Sequence, residues 1–234
     1  MSTALASANI SAFLFDLDGT LVDTAPDLIA ALNSVLQLNQ LSPIPYATLR
    51  PLVSNGADAL ISYGFGENLP KKKHQAVKAS FLNYYQEHLA QESRLFDGFD
   101  QVLLQLEKQD IPWGIVTNKP EYLTTPLLNN LQLLKRASCV VCGDQVTQPK
   151  PHPESILMAC RQLNIAPNTA LYLGDAKRDI QAAKLAGLKS IACSYGYIPP
   201  EDDITHWQAD RIIKHPDELL VAAQMLFSAS PALV

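Results

Sequence analysis

The chain has 234 residues, 47% hydrophobic and 18% charged, with a formal net charge of −5. That composition describes a folded globular protein, large enough for one domain or for a core with an inserted subdomain. The acidic balance argues against nucleic acid or an anionic membrane as the main partner, and no apolar run reaches the roughly 20 residues of a bilayer span.

The first element is Ala12–Asp16, an apolar run that predicts a buried strand and leads into Asp16-Leu17-Asp18-Gly19-Thr20. Strand side chains alternate faces, so a regular strand could not aim Asp16 and Asp18 at one point. The chain must turn at Asp18-Gly19, where glycine permits a tight bend and exposes backbone N–H groups. Two carboxylates at the open end of a strand are costly to bury without a partner. An oxygen-seeking divalent cation such as Mg²⁺ would relieve the repulsion.

Helical patterns follow. Thr24-Ala25-Pro26-Asp27 reads as a helix start, with Thr24 as N-cap and an acid in the first turn, and Leu28, Ile29, Leu32, Val35 and Leu36 keep helical spacing. Pro43 to Gly66 is rich in turn formers, with a short helical piece at Ala57–Ser62. A second amphipathic helix, about Lys71 to Ala90, places Val77, Phe81, Tyr84, Tyr85, His88 and Leu89 on one side, with Lys71-Lys72-Lys73-His74 as a solvated face. The segment reads as an all-helical cap inserted after the first strand, with Arg94–Gly98 as the return hinge. The expected division is 10–22 core, 23–95 cap and 96–227 core.

From there strands and helices alternate. The strands are Trp113–Thr117, Ser138–Gly143, Ala170–Gly174, Ser190–Ser194 and Arg211–Ile213, and the helices are about Phe99–Gln109, Tyr122–Leu131, Pro153–Leu163 and Arg178–Ala186. Alternation implies right-handed crossovers and a doubly wound, Rossmann-like parallel sheet, an α/β fold with ligands at the carboxyl ends of the strands. Asp16, Thr117 and Asp175 each close a strand, so they should meet on one edge. Cys139-Val140-Val141-Cys142 has redox or zinc spacing but lies in an apolar run with no second pair, and is read as buried, reduced thiols. Met1–Asn9 carries no signal-peptide pattern, so the expected location is the cytoplasm. Met1–Asn9 and Ser228–Val234 are expected to fray.

Phe13–Val22, Ile115-Val116-Thr117-Asn118-Lys119, Pro149-Lys150-Pro151-His152-Pro153 and Gly174-Asp175-Ala176-Lys177-Arg178-Asp179 stand in this order. Together they resemble the four motifs of the haloacid dehalogenase superfamily, most of whose members are phosphatases. The resemblance spans about Ser11 to Leu220. It implies Asp16 as nucleophile, through an aspartyl-phosphate, and Asp18 as general acid and then base. Thr117, Asn118 and Gly19 would bind the phosphoryl oxygens, and Lys150 would neutralise charge. Asp16, the backbone carbonyl of Asp18, and Asp175 would hold Mg²⁺, with Asp179 bracing its waters or Lys150.

Two further segments bear on substrate. Arg50 to Asp58 resembles the cap loop of phosphoglycolate phosphatases, where V-G-N-G-A-D is usual and Ser54 replaces a glycine; Arg50, Asn55 and Gly56 would contact the leaving group. Tyr195-Gly196-Tyr197 is shared with that group, whereas Pro200-Glu201-Asp202 with His206-Trp207 looks closer to bacterial N-acetylmuramic acid 6-phosphate phosphatases. The expected substrate is a small carboxylated phosphomonoester, 2-phosphoglycolate first and the amino sugar phosphate second, handled by a monomer or weak homodimer. A sugar phosphomutase would use the same core residues and differ in its cap. A phosphorylatable signalling module would lack the large insert after the first strand.

Overall fold

The computed structural model describes residues 9–228. In chain order it contains β1 (Ala12–Phe15), β2 (Val22–Asp23), α1 (Ala25–Leu38), α2 (Tyr46–Leu49), α3 (Gly56–Phe65), α4 (Lys71–Glu87), β3 (Arg94–Leu95), α5 (Phe99–Lys108), β4 (Trp113–Val116) and α6 (Glu121–Asn130). It continues with β5 (Cys139–Val141), α7 (Glu154–Gln162), β6 (Ala170–Gly174), α8 (Lys177–Ala186), β7 (Lys189–Cys193), β8 (Arg211–Ile213) and α9 (Leu219–Ser228).

Six strands form one parallel sheet in the order β5-β4-β1-β6-β7-β8. β1, β4 and β6 are buried along their whole length, as strands covered by helices on both faces must be. The chain winds outward from β1 through β4 to β5, then returns to β6 on the other side of β1. The reversal falls between β1 and β6, where a crevice opens at the strand ends. Asp16 follows β1 and Asp175 follows β6, so the reversal itself brings the two acids together.

α1 to α4 lie between β2 and β3, which pair antiparallel, Val22 with Leu95 and Asp23 with Arg94. The insert therefore leaves and rejoins the core at one two-stranded joint. Asp27 in the first turn of α1 does more than favour the helix end. Its carboxylate accepts from Glu92 N at 2.9 Å, Ser93 N at 3.1 Å and Ser93 Oγ at 2.6 Å, tying the outgoing segment to the returning one.

Several expectations need correction. The segment Pro43 to Gly66 is mostly helical: the piece expected at Ala57–Ser62 lies within α3, but α2 and a 3-10 turn over Arg50–Asn55 replace the loop before it, because Leu49, Val53, Leu60 and Ile61 bury against the rest of the insert. Packing overrides the turn-forming composition. Thr24 stands at the N-cap of α1, yet its hydroxyl does not cap the helix and donates instead to Asp18 Oδ1 at 2.6 Å. The amide of Ala25 is met by the Tyr197 hydroxyl at 2.9 Å. α9 was not expected. α8 ends as expected at Gly187, whose φ of 84° is the left-handed C-cap. Cys139, Cys142, Cys160 and Cys193 are buried and free. The ends expected to fray lie outside the described residues except Asn9 and Ser228. No helix among the described residues is long and apolar enough to cross a membrane.

Candidate active site

The crevice is built around Asp16, Asp175 and Asp179, three buried carboxylates that each offer an oxygen within 4.8 Å of the others. Asp16 lies one residue past β1, where the chain has left the strand, and its Oδ1 accepts from Leu17 N at 2.8 Å. Lys150 Nζ stands 2.9 Å from that same oxygen and 2.7 Å from Asp179 Oδ1. The ammonium also donates to Val116 O at 3.0 Å and Tyr172 Oη at 2.8 Å. The side chain of Lys150 is fully buried, so every contact it makes is with protein. Asp16 Oδ2 carries no hydrogen bond from the described residues and is left for chemistry.

Burial dominates the electrostatics. It pushes the Asp16 carboxyl up to about 7, with Asp179 adding to the rise and Lys150 opposing it. Asp175 is pushed up to about 6 by burial, with help from Asp179 and against the hydrogen bonds from Tyr197 and Ser54. Burial disfavours the charge on Lys150, but Asp16 and Asp179 outweigh it and hold the ammonium above its ordinary value. Three clustered carboxylates against Lys150 and the nearby Arg178 still leave net negative charge that a cation would neutralise. The oxygen-only donor set suits a hard ion such as Mg²⁺. The packing around it is tight: a Cβ on Gly19, whose φ is 86°, would stand 2.1 Å from Asp175 Oδ2, and one on Gly196 would stand 2.2 Å from Asp175 Cβ. Only glycine lets the backbone come so near the carboxylate.

The other expected residues divide. Thr117 is buried beside the crevice, and its Oγ1 accepts from Lys119 N at 3.1 Å. Asp179 accepts from Ala176 N at 3.0 Å while pairing with Lys150. Three residues expected at the substrate also bond to protein, although Asn118, like Thr117, lines the crevice. The Gly19 amide donates to Val22 O at 3.0 Å, closing the turn on itself. The Asn118 side chain is spent on the Lys150 backbone, donating from Nδ2 to Lys150 O and accepting from Lys150 N, both at 3.0 Å. Arg50 turns away from the crevice, donating to Gly196 O at 2.9 Å and Tyr195 O at 3.0 Å, with its guanidinium 5.0 Å from the centre of the Tyr197 ring. Asn55 and Gly56 do line the crevice.

Sequence reasoning missed a second lysine. Lys119 Nζ donates to Asp18 Oδ1 at 2.9 Å and to Tyr85 Oη, on α4, at 2.9 Å. Burial opposes its charge, but Asp18 and Tyr85 outweigh that and raise it above the ordinary lysine value. Asp18 Oδ1 thus takes both Lys119 and Thr24, and its Oδ2 is free of hydrogen bonds from the described residues. Lys119 stood in the Thr117 motif, but nothing local announced a partner on the insert. Ser54 and Arg178 were missed for the same reason: Arg178 Nη2 donates to Ser54 O at 2.6 Å.

Between insert and core lies a cavity of about 630 Å³. Asp16, Asp18, Thr117 and Lys119 form its core wall, and Leu28, Val53, Leu60, Phe81 and Tyr85 form much of the other. A buried carboxylate with one free oxygen, a second acid two residues on and a lysine-paired acid cluster at the reversal of a doubly wound sheet define a class.

The chain belongs to the haloacid dehalogenase-like hydrolase family, which matches residues 13–193. It is a phosphatase of that family, acting on a small phosphorylated metabolite. Over 211 residues it is 44% identical to the N-acetylmuramic acid 6-phosphate phosphatase of Pseudomonas aeruginosa, covering 90% of this chain and 93% of that one. It is 41% identical over 208 residues to a phosphoglycolate phosphatase of Xanthomonas campestris, covering 89% and 94%. Among solved structures, a predicted phosphoglycolate phosphatase from Haemophilus somnus superposes with a TM-score of 0.83 at 29% identity, covering 92% of this chain and 98% of that one.

Proposed function

We propose that this enzyme is a Mg²⁺-dependent phosphatase of a sugar-sized phosphomonoester, N-acetylmuramic acid 6-phosphate, working through an aspartyl-phosphate. The observation that carries the choice of substrate is the cavity. At about 630 Å³, under an insert already in contact with the core, it is of the size that holds a sugar-sized ligand. Among its lining residues Leu28, Ala57, Leu82 and Tyr122 keep apolar surface exposed, which suits a pyranose face and the methyl groups of acetamido and lactyl arms. Glycolate would leave most of that space to water and that surface unused. This favours the reverse of the order expected from the cap loop. The second reading, 2-phosphoglycolate, rests on the 41% identity to a relative of that name and on the Arg50–Asp58 loop.

In this reading residues 23–95 form the cap, and residues 10–22 and 96–227 the core. Asp16 Oδ2 attacks phosphorus while Lys150 holds Oδ1 and offsets charge on the transferring group. The leaving oxygen departs with a proton from Asp18, and Asp18 then takes a proton from the water that hydrolyses the phosphoenzyme. Thr117 donates its hydroxyl to a phosphoryl oxygen. Mg²⁺, held by Asp16, Asp175 and the backbone carbonyl of Asp18, would neutralise the phosphate and fix it for in-line attack. Asp179 steadies Lys150 from behind. In this reading the enzyme works in the cytoplasm on soluble phosphorylated metabolites.

The test is kcat/KM for both compounds on one preparation with Mg²⁺. The reading expects a clear preference for the amino sugar phosphate. A preference for 2-phosphoglycolate reverses the choice of substrate, and phosphate release from neither removes both names.

A further inference from the structure

The 3-10 turn Arg50–Asn55 crosses from the cap to the core and is held there at three points: Arg50 on the carbonyls of Tyr195 and Gly196, Arg178 on the carbonyl of Ser54, and the Ser54 hydroxyl on Asp175. The third differs in kind from the others. Ser54 Oγ donates to Asp175 Oδ2 at 2.7 Å, and among the described residues no other side chain from the 23–95 segment bonds a member of the acid cluster. Ser54 is not acting as a helix cap, since its hydroxyl is spent on Asp175 and α3 has no side-chain cap bond. The loop this segment resembles has glycine at that place and so offers no hydroxyl.

The two oxygens of Asp175 are treated differently. Oδ2 takes two good donors, Ser54 Oγ and, at 2.9 Å, the amide of Tyr197. Oδ1 has only a long contact from Thr20 Oγ1 at 3.3 Å. The carboxylate is therefore clamped through one oxygen and keeps the other for a ligand. Tyr197 and Thr20 belong to the core and are present whatever the cap does. Ser54 arrives with the cap, its peptide steered by Arg178.

We propose that Ser54 is a positioning residue that completes the cation site from the cap, so that cation binding and cap closure favour one another. The proposal rests on the acid cluster being the Mg²⁺ site of the phosphatase. A hydrogen bond behind a liganding carboxylate orients it, and loss of such a partner commonly weakens metal binding by about 10- to 100-fold. Coupling of this sort is reciprocal: what the closed cap adds to cation affinity, the cation adds to closure. The turn then does more than cover the substrate, because it senses whether the cation is in place.

The test is Mg²⁺ and Mn²⁺ affinity of the full-length enzyme without substrate, by calorimetry, for wild type, Ser54→Ala and Ser54→Thr. Ser54→Ala is expected to bind about 10-fold more weakly, and Ser54→Thr, which keeps the hydroxyl, to recover most of the loss. Hydrogen exchange of the amides in residues 50–56 is the second readout. Mg²⁺ should slow it in wild type and Ser54→Thr and much less in Ser54→Ala. Equal or tighter ion binding by Ser54→Ala, or exchange indifferent to Mg²⁺, overturns the coupling and leaves the phosphatase reading standing. Wild type that binds neither ion overturns the cation site itself, and the proposal with it.

Discussion

Two lysines with buried side chains flank the acids of the crevice, Lys150 beside Asp16 and Lys119 beside Asp18, and they are held in opposite ways. Lys150 touches only core groups: Asp16, Asp179, the Val116 carbonyl and the Tyr172 hydroxyl. Its loop is pinned by both hydrogen bonds of the Asn118 amide. Lys119 is shared, with one bond to Asp18 of the core and one to Tyr85 of the cap. Nothing that holds the first corner comes from the cap. The second is complete only when α4 lies over the crevice. In the proposed mechanism the phosphoryl-transfer apparatus is thus built into the sheet, while the acid that would serve the leaving group is held partly by α4.

The largest effect expected lies at the core corner. Asp16→Asn should lower turnover by on the order of 10⁴-fold or more while the folded protein still binds phosphate, measured by phosphate release and calorimetry. Phosphoenzyme trapped from wild type should carry its phosphate on Asp16 by mass spectrometry, and phosphate found on a serine, threonine or histidine would falsify that role. Lys150→Ala should cost on the order of 10²-fold or more in kcat. It should also cost about 3–5 kcal/mol of stability in urea melts, since Asp16 and Asp179 are left buried without their partner. A Lys150→Ala protein as stable as wild type would break the picture of a fixed core corner.

A smaller effect concerns pH. Burial raises Asp16 to about 7 and Asp175 to about 6, above the 3.8 of an ordinary aspartate. In metal-free protein the folded state therefore holds protons that the unfolded chain has released. The stability these two acids contribute is full below about pH 4 and drains as pH rises through about 6 to 7. Mg²⁺ competes with those protons, so it should raise Tm more at about pH 8 than at about pH 5. Paired melts with EDTA and with Mg²⁺ check this, and an increment that shrinks with rising pH would contradict it.

The core corner was legible before the structure, and the cap corner was not. Asp16, Thr117 and Asp175 could be placed together because each ends an apolar run, and a parallel sheet gathers such ends on one edge. Lys150 followed from its order among the motifs. By contrast, Arg50 finds Gly196 across 146 positions of chain and Ser54 finds Asp175 across 121. Asn118 pairs with Lys150 across 32. No local pattern specifies such partners, so the fastening roles of the Arg50 and Asn118 side chains could not be read from the sequence. The turn formers of Pro43 to Gly66 misled for a related reason, since burial of Leu49, Val53, Leu60 and Ile61 decides that segment.

The comparison of the two corners is tested most directly by kcat/KM for a simple aryl phosphate and for N-acetylmuramic acid 6-phosphate in wild type, Lys150→Ala and Tyr85→Phe. Tyr85→Phe removes the cap's bond to Lys119 while keeping the ring in place. Lys150→Ala should lower both substrates by the same factor. Tyr85→Phe should lower the amino sugar phosphate by about 10-fold and the aryl phosphate much less. Equal losses on both substrates in Tyr85→Phe, or a loss in Lys150→Ala confined to one of them, would contradict the division of labour between core and cap.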